Sequence, residues 1–256
     1  NRKGLKLISD TAQAPGALIN GMPAGTTADI GGFSLNYHKH IHCGEGGLLV
    51  TNDDRLAERL QLIRNHGEAV ITSDRVDDLS NILGHNFRLG EIEAAIARAQ
   101  LKKLPELVAS RQAAAARLTA GLAGLPGLTP PVVSKGATHV YYVYGMTLDC
   151  EQLGVERSWI VAALQAEGVT GLLAGYQNIH LNPLFRHRIA YGTSGFPWTG
   201  LTRGSSDVEY GPGLCPVAER LHQHSFLGLN LCAHAFDDQE VDLLISAFQK
   251  VWVNIA

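Results

Sequence analysis

The first half of the chain alternates between short apolar runs and amphipathic segments. Residues 5–9 and 48–51 are short and apolar, which predicts two strands. Residues 52–54 follow with side-chain oxygens suited to an N-cap, and apolar positions at three- and four-residue spacing predict a helix over residues 55–65. A His-Gly pair at residues 66–67 supplies the C-terminal stop. A strand that feeds a helix in this way is typical of α/β proteins.

Two more helices and a change of period follow. Residues 91–103 and 105–122 predict a helical pair, with Pro at the first position of the second helix. Pro and Gly then interrupt the pattern at residues 124–136, and the period changes to two at residues 140–144, which predicts a strand. We therefore predict two domains, residues 1–123 and residues 124–256. The second is predicted to contain a helix over 157–166, a strand over 226–231 and a helix over 238–253.

Residues 170–214 are rich in Gly, Pro and aromatic side chains and show little periodicity. Long irregular segments in compact proteins are often functional loops. The sequence leaves two roles open for Tyr176, His180 and Trp198, namely contact with a ligand or packing of the loop.

The composition argues against nucleic acid and membranes as binding partners. The chain has 256 residues, 45% of them hydrophobic, and a formal charge of −3, so it can bury a core but offers no basic surface for nucleic acid or an anionic membrane. Its apolar runs are much shorter than the roughly 20 residues of a membrane-spanning helix. Scattered cysteines without a Cys-x-x-Cys pair suit free thiols in a reducing compartment. We expect a cytoplasmic protein with neither nucleic acid nor a membrane as partner.

The chain starts at Asn1 without Met and enters a strand-like run almost at once. Neither a signal-peptide nor a transit-peptide pattern precedes that run. We therefore expect a fragment of a longer protein, whose large domain exposes an apolar sheet edge and apolar helix faces.

A His-rich segment at residues 33–47, FSLNYHKHIHCGEGG, is open to three interpretations. If His38, His40 and His42 lie on one face of a strand, they and Cys43 could bind zinc, although alternating ligands on one strand seldom converge on one metal. The segment could also be a polar loop whose histidines are solvated or hydrogen-bonded.

The third interpretation starts from a lysine within that segment. Lys39 is flanked by imidazoles and aromatics, a setting in which a lysine can act as a carbonyl nucleophile. Asp10 ends the first predicted strand and is followed by Gln13. Ligands of α/β proteins lie at the carboxyl ends of strands, where a carboxylate could pair with the protonated ring nitrogen of a cofactor.

Three segments, SDTAQAPGA, FSLNYHKHIHCGEGGLLVT and GHNFRLGEIEAAIARAQL, occur in this order and resemble the DegT/StrS family of sugar aminotransferases, which are fold type I pyridoxal phosphate enzymes. The likeness continues through CPVAERL and is weakest at residues 170–214. It implies an α/β fold, with a three-layer large domain present only in part and a smaller C-terminal α+β domain. In the family, part of the cofactor pocket lies upstream of the Asp motif, so we expect half of it to lie outside this sequence.

The resemblance implies a role for five residues. Lys39 carries pyridoxal 5′-phosphate as a Schiff base and moves a proton between cofactor and substrate, while Asp10 keeps the pyridine nitrogen protonated. Gln13 matches a residue near the 3′ oxygen of the ring, and Ser34 matches a hydroxyl donor to the phosphate. Asn86 matches a residue that reaches the phosphate of the neighbouring subunit's cofactor. This last match implies a homodimer with two shared sites. We expect no metal at the site.

The family implies transfer of an amino group from glutamate or glutamine to a keto sugar, nucleotide-linked in our leading interpretation, or to a keto-cyclitol. Two alternatives stay open. Family dehydratases carry histidine in place of the lysine, and because His38 and His40 flank Lys39, a one-residue error in register would reverse the assignment. A cofactor-free regulatory protein or an inactive fragment is the other alternative. No role is assigned to the flanking histidines, and a structural ion pair would explain Arg88 equally well.

Overall fold

The structure is a computed structural model that describes residues 3–68, 82–199 and 208–255. Backbone contacts divide the chain into two compact units. The first comprises Asn1–Ala116, Val132–Tyr142 and Leu231–Asp237, and the second comprises Arg117–Pro131, Val143–Asn230 and Asp238–Ala256. Each unit draws on three stretches of sequence, and the contiguous domains 1–123 and 124–256 stay a proposal.

The first unit carries a sheet with both parallel and antiparallel pairs. The strands of this unit are β1 (Ile8–Asp10), β2 (Leu18–Ile19), β3 (Met22–Pro23), β4 (Ile30–Ser34) and β5 (Gly47–Val50). Strands β2 and β3 form a small hairpin. The main sheet has the order β1-β4-β5, with β1 parallel to β4 and β5 antiparallel to it. Because β1 and β4 run in the same direction, their carboxyl ends meet at one edge of the sheet.

Three helices follow, α1 (Asp54–Arg64), α2 (Glu91–Leu101) and α3 (Leu104–Gly121), all within two residues of the predicted bounds. The Asp53 side chain caps α1 by accepting a hydrogen bond from the Leu56 amide at 3.1 Å. At the other end of α1, His66 and Gly67 adopt φ of +60° and +77°, the left-handed conformation that ends a helix. The predicted cap and stop are both confirmed.

Apolar side chains are exposed on the first unit. Leu7 and Ile8, in and beside the edge strand β1, are 59% and 72% exposed, and Leu48 and Leu49 of β5 are also exposed. A small core lies beneath the hairpin, where Ala17 and Ala24 pack with Val108 and Val140. The sheet therefore presents apolar surface that an isolated soluble domain would normally cover.

The second unit contains an antiparallel sheet and helices. Its elements are β6 (Leu128–Thr129), β7 (Tyr144–Leu148), α4 (Cys150–Leu153), α5 (Arg157–Ala166), β8 (Leu172–Leu173), a 3₁₀ turn (Ile179–Leu181), α6 (Pro183–Arg186), α7 (Pro216–Arg220), a π-helical turn (Leu221–Ser225), β9 (Phe226–Leu229) and α8 (Asp238–Val253). The sheet order is β6-β7-β9-β8. Its core includes the fully buried side chains of Tyr144, Leu227 and Phe248. Nowhere in the described parts of the chain is a helix long and apolar enough to cross a membrane.

The strand predicted over residues 140–144 is wrong by four residues, because the strand runs over Tyr144–Leu148. Tyr141 adopts φ of +52°, a left-handed conformation that interrupts extended backbone. The alternation at residues 140–144 has a different cause: Val140 is buried in the first unit, and Tyr144 is buried in the second.

Candidate active site

Asp10 and Ser34 end neighbouring parallel strands at the same edge of the sheet. Asp10 lies opposite Gly32 of β4, and the Thr11 amide donates to the Gly32 carbonyl at 2.8 Å. Ser34 is two residues further along β4, about 7 Å at the usual rise of a strand. Asp10 accepts a hydrogen bond from the Ala12 amide at 3.0 Å, in the turn that leads to the exposed Gln13. Three of the predicted site residues thus share one edge.

Lys39 lies in the turn that connects β4 to β5, which we call the Lys39 turn (residues 35–46). Its base is closed because the Leu35 amide donates to the Gly46 carbonyl at 2.9 Å, and the Asn36 side chain donates to Glu45 at 2.6 Å. The Lys39 amide donates to the Asn36 carbonyl at 3.0 Å. The turn therefore holds Lys39 just beyond the strand that carries Ser34.

His40 is buried and is held by an arginine from α3. Arg111 Nη1 lies 2.7 Å from His40 Nδ1, and Arg111 Nε donates to the Leu231 carbonyl at 3.1 Å. Burial and then the positive charge of Arg111 lower the pKa of His40 to about 4. Because the guanidinium donates to Nδ1, the neutral ring carries its proton on Nε2. The imidazole next to Lys39 is therefore uncharged at neutral pH.

Sequence reasoning missed Arg111. The sequence pattern did mark this residue, because Arg111 occupies the same helix face as Val108 and Ala115, both of which are buried. A single charged residue on an apolar face indicates a specific buried partner. The partner, His40, could not be named from the sequence alone.

The zinc interpretation depended on a strand, and this premise is wrong because residues 38–42 form a turn, bends and irregular backbone. The His38 ring packs against Tyr37 with centroids 4.9 Å apart, and the Cys43 thiol points to the Glu45 carbonyl at 3.4 Å. Over residues 3–68, 82–199 and 208–255, no group of three or more His, Cys, Asp or Glu side chains is arranged to hold a metal ion. His40 and Cys43 instead make protein contacts inside the fold.

Asn86 lies on a different segment, where it forms a bridge with Asn65 just beyond α1. Arg88 donates to the Asn65 side chain at 2.7 Å, so its described partner is an amide and not the carboxylate of an ion pair. Asn86 is exposed, and Phe87 beside it is 66% exposed. Asn86 is therefore an exposed residue on a segment separate in sequence from β1 and β4.

In the irregular segment, His180 has a structural partner that the sequence did not reveal. Its Nε2 lies 2.8 Å from a carboxylate oxygen of Glu219, which also accepts hydrogen bonds from the Gly213 and Cys215 amides. These two amides, followed by His180, lower the pKa of Glu219. Glu219 thus fixes the loop before α7 against the turn that carries His180.

Trp198 and Tyr176, the other two candidates in this segment, differ in how far their side chains are packed. Trp198 packs edge-on against Phe185 and Tyr210, at centroid distances of 6.1 and 6.3 Å. Tyr176 is 81% exposed. Packing therefore accounts for Trp198, and Tyr176 stays a candidate for ligand contact.

A sequence model of the DegT/DnrJ/EryC1/StrS aminotransferase family matches residues 1–201, and the chain belongs to this family. It is 43% identical over 148 residues to the dTDP-3-amino-3,4,6-trideoxy-alpha-D-glucose transaminase of Micromonospora megalomicea subsp. nigra, which covers 56% of this chain and 38% of that protein. It is 30% identical over 263 residues to the L-glutamine:2-deoxy-scyllo-inosose aminotransferase of Micromonospora echinospora, covering 99% of this chain and 60% of that protein.

Solved structures show the same fold. DesV of S. venezuelae, in complex with a ketimine intermediate, matches with a TM-score of 0.77 and 28% identity over 98% of this chain and 59% of that one. The aminotransferase from Psychrobacter cryohalolentis matches with a TM-score of 0.79 and 25% identity, over 99% of this chain and 63% of that one. The predicted α/β fold of pyridoxal phosphate aminotransferases is confirmed. The chain spans between 38% and 60% of the length of the two transaminases named above.

The donor groups at the sheet edge fit pyridoxal phosphate, the cofactor of this family. Lys39 has an amine that would suit the aldehyde carbon, and Asp10 has a carboxylate that would suit a protonated pyridine nitrogen. Ser34 offers a hydroxyl for the phosphate, and its oxygen already accepts a hydrogen bond from the Asn36 amide at 3.2 Å. Asp10 and Ser34 lie at the ends of adjacent strands, and Lys39 lies in the turn that follows, so the types of group required by the cofactor are present.

Proposed function

We propose that the protein is a pyridoxal-phosphate-dependent aminotransferase. In our proposal it moves an amino group from glutamate or glutamine to a keto sugar, nucleotide-linked, or to a keto-cyclitol. One observation carries the proposal: β1 and β4 are parallel, so that Asp10 and Ser34 share an edge with the turn that holds Lys39. The substrate class rests on the relatives, which are named as a dTDP-sugar transaminase and a glutamine-dependent cyclitol aminotransferase.

Each residue at this edge has a separate task in the proposal. When bound, pyridoxal phosphate supplies an electron sink that stabilises the negative charge left when the amino carbon of the substrate loses its proton. Lys39 holds the cofactor and carries that proton at Nζ. Asp10 keeps the ring nitrogen protonated, Gln13 lies near the 3′ oxygen, and Ser34 binds the phosphate.

A shared site in a homodimer is the proposed role of Asn86. Three apolar side chains within six residues of Asn86 along the chain are exposed, Leu83 by 79%, Phe87 by 66% and Ile92 by 75%. Apolar patches of this kind mark interaction surfaces. In a two-fold dimer the same patch on both subunits would meet, and Asn86 would reach the partner's cofactor phosphate. The four free cysteines support a reducing, cytoplasmic setting for this dimer.

The contacts of His40 argue against this histidine as the one that would replace the lysine in a dehydratase. A dehydratase would need a histidine in the position of the lysine, and His40 is one of the two histidines adjacent to Lys39. Its ring is buried and its Nδ1 is occupied by Arg111. His40 therefore has a role inside the protein, whereas Lys39 is only partly buried.

The half-reaction with L-glutamate tests the proposed function. The complete gene product, loaded with pyridoxal phosphate, should lose its visible absorbance on addition of L-glutamate and gain the absorbance of pyridoxamine phosphate, and Lys39→Ala should show neither change. Failure to take up pyridoxal phosphate would favour the regulatory protein or inactive fragment. Uptake that no amino donor converts would remove the aminotransferase and leave the dehydratase.

A further inference from the structure

The Lys39 amine lies over the face of an aromatic ring. Its Nζ is 4.6 Å from the ring centroid of Tyr142, within the range of a cation–π interaction. The rings of His38 and His40 also border Tyr142, at centroid distances of 6.2 and 6.1 Å. Three consecutive residues of the Lys39 turn therefore contact one tyrosine.

Both partners of this contact are fixed by other bonds. On one side, Arg111 holds His40, and this fixes the backbone from which the Lys39 side chain leaves. On the other side, the Tyr141 amide donates to His139 Nδ1 at 2.9 Å, and Tyr141 has φ of +52°, which sets the direction of the chain at Tyr142. Tyr142 is half-buried. The backbone that leads into Tyr142 is thus held by contacts that do not involve Lys39.

During transamination the lysine side chain is released from the cofactor, and its amine needs a binding position until it returns. When the amino donor displaces Lys39, a carbon–nitrogen bond to the donor forms and the bond to Lys39 breaks at the same carbon. Two of the three N–H protons of the donor ammonium pass to Nζ, which keeps the proton it carried while bonded to the cofactor, and the third stays on the donor nitrogen, so that the released side chain is an ammonium. It would give up one proton before Nζ could take up the proton of the amino carbon. An ammonium is attracted to the negative face of an aromatic ring.

We propose that Tyr142 is a positioning residue whose ring face receives the Lys39 ammonium when this nitrogen is not bonded to the cofactor. The inference rests on the proposed function. The ring holds the amine beside the edge defined by Asp10 and Ser34, from which it can return. The hydroxyl of Tyr142 has no part in this role, because the ring face supplies the attraction.

Displacement by 2-methylglutamate is the direct test. This amino acid lacks the hydrogen at its amino carbon, so the reaction stops once Lys39 is released. Borohydride reduction followed by peptide mapping then gives the fraction of Lys39 still bonded to the cofactor. Tyr142→Leu removes the ring face, and half-displacement should need roughly 3- to 30-fold more 2-methylglutamate than in the wild type. Tyr142→Phe, the matched control, should follow the wild-type curve.

A variant that preserves the shape of the side chain provides the same test if Tyr142→Leu does not fold. Replacement of Tyr142 by pentafluorophenylalanine keeps the ring but reverses the charge of its face, and it should shift the curve in the same direction as Tyr142→Leu. Thermal unfolding of each variant shows whether its fold is intact.

A second measurement does not depend on the cofactor. Trinitrobenzenesulfonate labels free amines, and its rate at Lys39, relative to the exposed Lys135, should rise several-fold in Tyr142→Leu and stay unchanged in Tyr142→Phe. If wild-type protein bonds no pyridoxal phosphate at Lys39, the proposed function fails, and the inference fails with it. If it does bond the cofactor but all Tyr142 variants share one displacement curve, the inference alone is overturned.

Discussion

Arg111 Nη1 and His40 Nδ1 lie 2.7 Å apart, and both side chains are buried in the first unit. The arginine comes from α3 and the histidine from the Lys39 turn. The bond therefore joins a regular helix to the irregular segment that carries the proposed catalytic lysine. It also fixes the histidine in one neutral form, so that no second cation develops beside Lys39 at neutral pH.

Stability should fall in mild acid because of His40. Its folded-state pKa of about 4 lies below the ordinary value of 6.5, so the unfolded chain takes up the proton first as the pH falls. The contribution of His40 is complete above about pH 6.5 and is lost toward pH 4, at a cost of about 3 kcal/mol. Lys39, Arg111 and His139 all face the ring with charges that oppose its protonation. Urea unfolding of the wild type and of His40→Gln at several pH values measures the contribution of His40 to the free energy of unfolding. Identical pH dependence in both proteins would contradict the prediction.

Removing the arginine should both destabilise the fold and raise the pKa of His40. Arg111→Met keeps much of the side-chain volume but removes the guanidinium donor from the Leu231 carbonyl and from His40 Nδ1, which keeps the Cys232 thiol at 3.5 Å, at a cost of about 2–4 kcal/mol in the free energy of unfolding. Without the guanidinium charge, the pKa of His40 should rise toward 6.5, as an NMR titration of the imidazole would show. Arg111→Lys, which keeps the charge, should leave the pKa closer to that of the wild type. An unchanged pKa in Arg111→Met would show that burial alone accounts for the shift.

Subunit mixing tests the proposed role of Asn86. Lys39→Ala and Asn86→Ala should each be inactive alone, because each removes one part of every site. Mixed dimers combine an intact Lys39 from one subunit with an intact Asn86 from the other, so random mixing at equal amounts should restore about a quarter of wild-type activity. If mixing restores nothing while mass spectrometry shows mixed dimers, Asn86 acts within its own subunit.

Glu219 should control the order of the loop before α7. Glu219→Gln weakens the charge-assisted bonds from the Gly213 and Cys215 amides, so these two amides should exchange with solvent several-fold faster. Glu151→Gln, an exposed change in the same unit, is the control and should leave both rates unchanged. Equal exchange in the two variants would mean that the loop is held by other contacts.

Local patterns predicted regular elements well. The bounds predicted for the last helix, residues 238–253, agree with α8, because its apolar residues recur at helical spacing and five of them are buried, Val241, Phe248 and Trp252 among them. The predicted strand at residues 140–144 was wrong, because its alternation reflected burial in two different units and not one extended segment.

Contacts between distant residues could not be predicted from the pattern. Arg111 and His40 are 71 positions apart, and neither side chain carries a local signal that names the other. The parallel pairing of β1 with β4 is also a long-range feature. The residues alone suggested that Asp10 and Lys39 could share a cofactor site, and the resemblance to the family made that hypothesis specific. Their joint contact with the cofactor stays a prediction.

Borohydride reduction of the pyridoxal-phosphate-loaded protein, followed by peptide mapping, tests the central claim most directly. The reduced cofactor should be recovered on the peptide that contains Lys39, and Lys39→Ala should yield no labelled peptide. Recovery of the label on a different lysine, or full release of the cofactor from folded wild-type protein after reduction, would contradict the assignment of Lys39.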